Sequence, residues 1–398
     1  MDLQINKKNT IYFIGIGGIG MSGIALIMKN LGYNVLGSDL SKTSKILEQL
    51  RKKKIKIIYG HENKAILKAD IVVVSSAIAK NNKEFQLANK HKIIIVKRAD
   101  MLAHLINLKK NIIISGSHGK TTITSLISHL LQSNKFYPTI VNGGIINSLN
   151  SNATLGKGEW SVVEADESDG SFLKLPMNYS IVTNIDYEHL DYYKNFKNLE
   201  DSFINFINKT PPIGKSIICI DSTNIFKILK KIKNKNILTY GESKKANFQI
   251  KKIRYNSDST IFDLSFKDKD KKSKVIKNIN VKLLGKHNAL NAAAAFIICL
   301  NLGVNINLVK KSLKNFSGVQ RRMSKIFSIN KNDFYDDYAH HPTEISSILE
   351  GVHNVNSTRK IIIVFEPHRY SRVMSLENEF AKCFSKSKLV IMCPLYAA

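Results

Sequence analysis

Asn111-Ile112-Ile113-Ile114-Ser115-Gly116-Ser117-His118-Gly119-Lys120-Thr121-Thr122-Ile123-Thr124 is the stretch whose reading decides the fold. The β-branched run Ile112–Ile114 predicts a buried strand. Gly116 to Gly119 interrupt it, and a helical pattern opens at Lys120, carrying Leu126, Ile127, Leu130 and Leu131. A strand, a glycine turn and a helix start are the parts of a phosphate-binding loop. The glycines let backbone N–H groups turn inward, and the helix N-terminus adds partial positive charge. Lys120 has the reach for a terminal phosphate, and the Thr121 hydroxyl can ligate Mg²⁺. The standard spacing asks for glycine at position 114, where Ile114 stands, so the loop is the shorter Gly-x-x-Gly-Lys-Thr-Thr. An ordinary glycine turn with a surface lysine is the competing reading of this motif alone.

Upstream, Thr10–Ile14 reads as a strand, Gly15-Ile16-Gly17-Gly18-Ile19-Gly20 as a turn and Met21–Leu31 as a helix. A second strand at Val35-Leu36 ends in Gly37-Ser38-Asp39. Gly15, Gly17 and Gly20 fit G-x-G-x-x-G in its proper context, and Asp39 falls where a ribose-binding acid is expected. Ile71–Val74, ending in Ser75-Ser76, and Ile93–Val96, ending in Lys97-Arg98, continue a Rossmann-like alternation. The boundary to the phosphate-loop domain falls near Asn107–Asn111.

Downstream, the strand Ser161–Val163 runs into Glu164-Ala165-Asp166-Glu167-Ser168-Asp169. Ser180–Thr183 runs into Asn184-Ile185-Asp186-Tyr187-Glu188-His189-Leu190-Asp191. Acids and a histidine at neighbouring strand ends suit Mg²⁺–phosphate chemistry; each alone reads equally as a helix cap or a solvated acid. Residues 216–220 and 236–240 read as strands, residues 246–284 as β-rich, and Ala289–Leu302 as a helix with Asn288 and Asn291 at its first turn. A third unit begins near Gly318. It holds Arg321-Arg322, Tyr335 to Pro342, a helix from Thr343, the strands Ile361–Phe365 and Leu389–Met392, and Glu366 to Arg372 between them.

At 398 residues the chain has room for two or three domains, each with its own core. The net charge of +29 invites a nucleic-acid reading. The lysines are scattered among Asn and Ile rather than gathered on one face, so no nucleic-acid partner is expected. Cys219, Cys299, Cys383 and Cys393 form no C-x-x-C, which argues against a zinc site or a disulfide framework. No run approaches the roughly 18 apolar residues of a membrane span, and a cytoplasmic enzyme with no membrane insertion is expected.

Together these stretches resemble the Mur ligase family over nearly the whole chain. The marks are Gly15-x-Gly-Gly-x-Gly-Met-Ser-Gly, the phosphate loop at 116–122, Glu-Ala-Asp-Glu-Ser-Asp at 164–169 and Thr-Asn-Ile-Asp at 183–186 with His189. Gly-Lys-His-Asn at 285–288, Asp-Asp-Tyr-Ala-His-His-Pro at 336–342 and Pro-His-Arg-Tyr-Ser-Arg at 367–372 complete them. The resemblance implies an α/β protein of three domains. These are a Rossmann-like unit binding a UDP-sugar (1–108), a P-loop unit binding ATP (109–318) and a Rossmann-like unit on the amino-acid side (319–398).

It implies that Gly15, Gly17, Gly18, Gly20, Ser38, Asp39, Ser75 and Ser76 face the UDP moiety. Gly116, Ser117, His118, Gly119, Lys120, Thr121 and Thr122 would take the ATP phosphates, Asn288 and Asn291 the adenine, and Arg322 a phosphate. Thr121, Glu164 and His189 would hold Mg²⁺. Tyr338, His340, His368, Arg369 and Arg372 would line the amino-acid side, with Lys120, His340, His368 and Arg369 as catalytic candidates.

The implied reaction is ATP-dependent ligation of L-alanine to UDP-N-acetylmuramate through an acyl phosphate. It belongs to peptidoglycan precursor synthesis, and so to cell-wall biogenesis, cell shape and division. A ligase for a preformed peptide, used in wall recycling, is the nearest alternative; an NAD-linked oxidoreductase would leave the phosphate loop unexplained. Oligomeric state stays open between monomer and homodimer. Two departures stand out. Glu366 occupies a position where the family usually has glutamine. Family members also continue well past Cys393-Pro394. The third domain is therefore expected to be incomplete, to leave apolar strand surface uncovered and to ligate poorly.

Overall fold

The computed structural model describes residues 5–396 apart from 269 and 356. Among them, five parallel strands form a first sheet in the order Lys56–Tyr59, Asn34–Asp39, Thr10–Ile14, Ile71–Val74, Ile94–Lys97. Strand order reverses at Thr10–Ile14, and a crevice opens at the C-terminal ends of the strands beside such a point. The turn from Gly15 to Gly18 lies there and leads into the helix Ile19–Asn30.

The second sheet is built around Lys110–Ser115, flanked by Tyr179–Val182 and Trp160–Glu164, both parallel to it. Thr139–Ile146 lies beyond Trp160–Glu164, and Lys215–Cys219, Ile237–Gly241 and Phe248–Tyr255 extend the other side, all parallel. Antiparallel strands close both edges: Ser151–Thr154 at one, Thr260–Lys267 and Ser273–Val281 at the other. A parallel sheet is covered on both faces, which is why Ile112, Ile113, Ile114, Val162, Val163 and Ile181 are all fully buried. On one face lie the phosphate-loop helix Lys120–Ser133 and the helix Lys286–Asn301, whose Ala292 to Ala295 are buried completely and permit close packing.

Each of the first two units keeps a core of its own, around Tyr12, Ile14, Val72 and Val74 in the first and Ile112, Ile114, Leu126 and Phe296 in the second, but a third cluster is shared between them. One buried cluster runs from Ile11 and Phe13 through Ile24 and Met28 to Val141 and Ala153, and on to Phe172 and Phe203. Gly23 makes the junction close, since a Cβ there would stand 3.2 Å from the Ala153 side chain.

The third unit is thinner. Ser324–Ile329 and Asn332–Asp336 form a hairpin, and Ile362–Phe365 pairs in parallel with Leu389–Met392. The helices Pro342–Val355 and Glu377–Cys383 cover the strand pair around a core of Ile345, Leu349, Phe365 and Cys383. Ile362, Val364, Leu389, Ile391 and Met392 are exposed, so the expected uncovered apolar strand surface is present. No helix among the described residues is long and apolar enough to cross a membrane.

Candidate active site

The phosphate loop needs its glycines for two reasons. Gly116 and Gly119 take φ of +128° and +85°, and a Cβ would meet the Thr183 hydroxyl at 2.1 Å in the first case and the Asn291 amide oxygen at 2.7 Å in the second. The loop is tied to the neighbouring strand end. The Ser117 N–H donates to the Asn184 carbonyl (3.0 Å), the His118 N–H to Asn184 Oδ1 (2.8 Å) and the Thr183 hydroxyl to the His118 carbonyl (2.6 Å). Lys120 curls back over this frame. Its Nζ donates to the Gly116 carbonyl at 2.5 Å and to Glu167 Oε1 at 2.8 Å. Burial disfavours the ammonium charge, but Glu167, Glu188 and Glu164 reverse that and push the Lys120 pKa up, so it stays protonated.

The acids flank the lysine. The Thr121 hydroxyl donates to Glu164 Oε1 at 3.1 Å, and the Gly143 N–H to Glu164 Oε2 at 2.6 Å. Burial raises the Glu164 pKa against the pull of Lys120. His189 Nε2 lies 3.5 Å from Glu167 and 3.9 Å from Glu188. Glu167, Glu188 and His189 offer ligand atoms all within 4.8 Å of one another. Glu167 Oε2 is buried without a hydrogen-bond partner among the described residues. Hard oxygens with one imidazole and an unsatisfied carboxylate oxygen fit a divalent cation. The expected set of Thr121, Glu164 and His189 is therefore divided: Thr121 and Glu164 bond to each other, while His189 sits with Glu167 and Glu188.

A cavity of about 150 Å³ adjoins the loop, lined by Tyr240, Leu283, Leu290, Phe316 and Val319 with Asn288 and Asn291. Both asparagines are buried, and Asn291 Nδ2 donates to Asn288 Oδ1 at 3.0 Å. Apolar walls with a few amide groups suit a nucleobase. His287 beside them is held near pKa 4 by burial and stays neutral.

The N-terminal turn is closed by a carboxylate. The Gly17 N–H donates to Asp39 Oδ2 at 2.7 Å, and the Gly15 and Ile16 N–H groups both donate to the Ser38 carbonyl at 2.9 Å. Ser38 does not face open space. It is fully buried, and its hydroxyl bonds to Glu84, which also accepts from the Tyr12 hydroxyl (2.7 Å). Ser38 thus holds the turn from below, while Ser75 and Ser76 directly follow the neighbouring strand Ile71–Val74.

All three units meet at one cleft of about 320 Å³. Gly20 and Arg98 reach it from the first, Lys120, Glu164, Glu167 and His189 from the second, and Arg322, Tyr338, His340, His368, Arg369 and Arg372 from the third. Arg372 lies 3.5 Å from Glu188 across the junction. The His340 Nδ1–H donates to the Tyr338 carbonyl at 2.8 Å, which leaves Nε2 as the basic nitrogen. Burial lowers the His340 pKa, so the ring is neutral near pH 7. Glu167 and Glu188 lie in the acidic runs read from sequence as suited to Mg²⁺ but were given no individual role, and Arg98 and Glu344 were given none. Arg98 ends a parallel strand, and that placement is the signal that could have found it.

A buried lysine at a glycine turn, beside acids and a base-sized cavity, is machinery for moving phosphate from a nucleotide. The helix start after a second glycine turn, Ile19 and Gly20, lines the same cleft, so the molecule is a nucleotide-driven enzyme of three α/β units. Family models match along the chain: the Mur ligase family catalytic domain at residues 10–110, the Mur ligase middle domain at 114–299 and the Mur ligase, glutamate ligase domain at 321–396. A UDP-N-acetylmuramate–L-alanine ligase of Pelagibacter ubique is 49% identical over 100% of this chain and 86% of its own length. One from Rhodopseudomonas palustris is 44% identical over 98% and 83%. The crystal structure of a UDP-N-acetylmuramate-alanine ligase from Thermotoga maritima superposes with a TM-score of 0.84 at 28% identity, covering 98% of this chain and 86% of that one. A murein peptide ligase from Psychrobacter arcticus shares the fold at 22% identity and a TM-score of 0.76, covering 96% and 84%. The chain belongs to the Mur ligase family of ATP-dependent, amide-bond-forming ligases.

Proposed function

We propose that this protein joins L-alanine to the carboxylate of UDP-N-acetylmuramate at the expense of ATP, a step of peptidoglycan precursor synthesis in the cytoplasm. The observation that carries the reading is the single cleft lined together by Ile19 and Gly20, at the helix start just past the N-terminal glycine turn, by the phosphate loop and by the histidine–arginine group of the third unit. We assign residues 1–108 to the UDP-sugar, 109–318 to ATP and 319–398 to the amino acid.

A carboxylate is a poor electrophile, and phosphorylation gives it a leaving group. The sugar carboxylate oxygen attacks the γ-phosphorus and ADP departs. Two anions must approach for this step, and Lys120 and Arg322 neutralise them. Glu167, Glu188 and His189 would hold Mg²⁺, with the Thr121–Glu164 pair facing the same cleft, and the ion when bound supplies further positive charge to the phosphates. The amine nitrogen of L-alanine then attacks the acyl carbon, phosphate leaves, and the amine proton passes to a base. His340 suits that role because its Nε2 carries the lone pair. Arg369 and Arg372 offer cations for the amino-acid carboxylate, and His368 stands beside them on the cleft.

The test is ADP release with UDP-N-acetylmuramate, L-alanine and Mg²⁺ supplied together and omitted one at a time. Release that ignores the UDP-sugar counts against the reading. Preference for a muropeptide over free L-alanine in competition would reassign the chain to peptide ligation.

A further inference from the structure

Glu344 belongs to the third unit, yet it reaches the phosphate loop. It lies in the first turn of the helix Pro342–Val355, with a side chain only 12% exposed. A glutamate so placed ordinarily turns back onto the N–H groups that begin its own helix. One oxygen does this: Oε2 accepts from the His340 N–H at 3.1 Å. The other leaves the unit. Oε1 lies 3.3 Å from His118 Nδ1, inside the phosphate loop, and 3.8 Å from Arg322 Nη1.

His118 is held from both sides. Its Nε2 lies 3.2 Å from Asp186 Oδ2, which also accepts from the Thr343 hydroxyl at 2.7 Å. The His341 ring packs over it at 4.7 Å between centroids. An imidazole with a carboxylate at each nitrogen carries both protons, so His118 is a cation clasped between two carboxylates from two units. Glu344 also lines both the base cavity and the main cleft, where a triphosphate would cross from one to the other.

We propose that Glu344 is a positioning residue of the ligation: its two oxygens set His118 of the phosphate loop and His340 of the amine side at a fixed separation. The proposal rests on the ligase reading. Glu344 touches no reacting atom on this view. It aligns the group that activates the carboxylate with the group that receives the amine proton.

Glu344→Gln keeps the shape and removes the charge; Glu344→Asp keeps the charge and shortens the reach. Three quantities decide: ADP–Mg²⁺ affinity by calorimetry, kcat and KM for each substrate, and hydrogen exchange of residues 116–120 and 338–345. Glu344→Gln should lower kcat about tenfold or more, as misalignment of reacting groups does. It should move ADP affinity by less than about threefold. Exchange should rise in both segments together, and Glu344→Asp should recover part of kcat. Wild-type turnover with wild-type exchange in Glu344→Gln overturns the proposal. So does a loss of ADP affinity and thermal stability in step with kcat, which would mark mere fold support. Should the wild-type chain release no ADP in response to UDP-sugar and L-alanine, the ligase reading fails. The exchange of the two segments then decides the clasp alone: a joint rise supports it and no rise overturns it.

Discussion

The turns at Gly15–Gly20 and Gly116–Lys120 start from one local plan, a buried parallel strand, a glycine bend and a helix N-terminus, and end with opposite charge. In the first, Asp39 accepts from the Gly17 N–H, so a carboxylate sits at the bend. In the second, Lys120 lies across the bend, and the nearest acids, Glu164 and Glu167, stand behind Thr121 and Lys120. A bend occupied by a carboxylate favours hydroxyl groups such as those of a ribose. A bend crossed by a lysine favours a polyphosphate. Glycine spacing marks a nucleotide turn; the charge brought to it by another strand decides which part of the nucleotide it serves.

Lys120→Ala breaks this contrast most severely. ATP-dependent turnover should fall about 10²-fold or more, while UDP-sugar affinity measured by calorimetry stays as in the wild type. Backbone changes come next. Gly116→Ala forces a Cβ against Thr183 at φ +128° and should cost about 1–3 kcal/mol of stability. Gly18→Ala, at φ −60° with nothing nearer than 3.4 Å, should stay within about 0.5 kcal/mol. Denaturant titration separates the two, and equal costs would mean that the turns share one backbone requirement. Asp39→Ala removes the carboxylate from the first turn and should weaken UDP-sugar binding about tenfold, the scale of a lost charged hydrogen bond, with ADP affinity unchanged.

The mildest effect is on pH. The His340 pKa lies below its ordinary 6.5, so the neutral base is present above that range and is lost as pH falls through it. Turnover should decline on the acid side of pH 6.5, and His340→Gln should abolish that limb along with most activity. Nucleotide binding at the phosphate loop should stay flat over the same range, because His118, held between Asp186 and Glu344, has its pKa raised to about 10 against the opposing effect of burial.

Much of the fold was legible because buried parallel strands leave continuous β-branched runs. Ile71–Val74 and Leu389–Met392 were placed to the residue, and Lys110–Ser115 only extends the run Ile112–Ile114. Elements whose pattern is broken were missed. Thr139–Ile146 carries Gly143-Gly144 inside it, and a glycine pair reads as a loop. The short helices Lys45–Lys52 and Lys83–Lys90 bury only one or two apolar positions among lysines and polar residues. The hairpin Ser324–Ile329 with Asn332–Asp336 lies in the third unit, where exposed Ile326, Phe327 and Phe334 blur any alternation.

The sequence by itself determined the three-part α/β plan, the two glycine turns and the residue types at the cleft, because strand period, glycine spacing and helix starts are properties of neighbouring residues. Which acid meets which cation was decided only by tertiary structure. Lys120 pairs with Glu167, Arg98 with Asp166, and His118 with both Asp186 and Glu344, partners 47, 68, 68 and 226 positions apart. Ser38, read as facing a ligand, became a buried prop for the turn above it. Coulomb attraction and hydrogen bonding act over a few ångströms in space and carry no trace of distance along the chain, so their pairings appear only once the strands that present them are side by side.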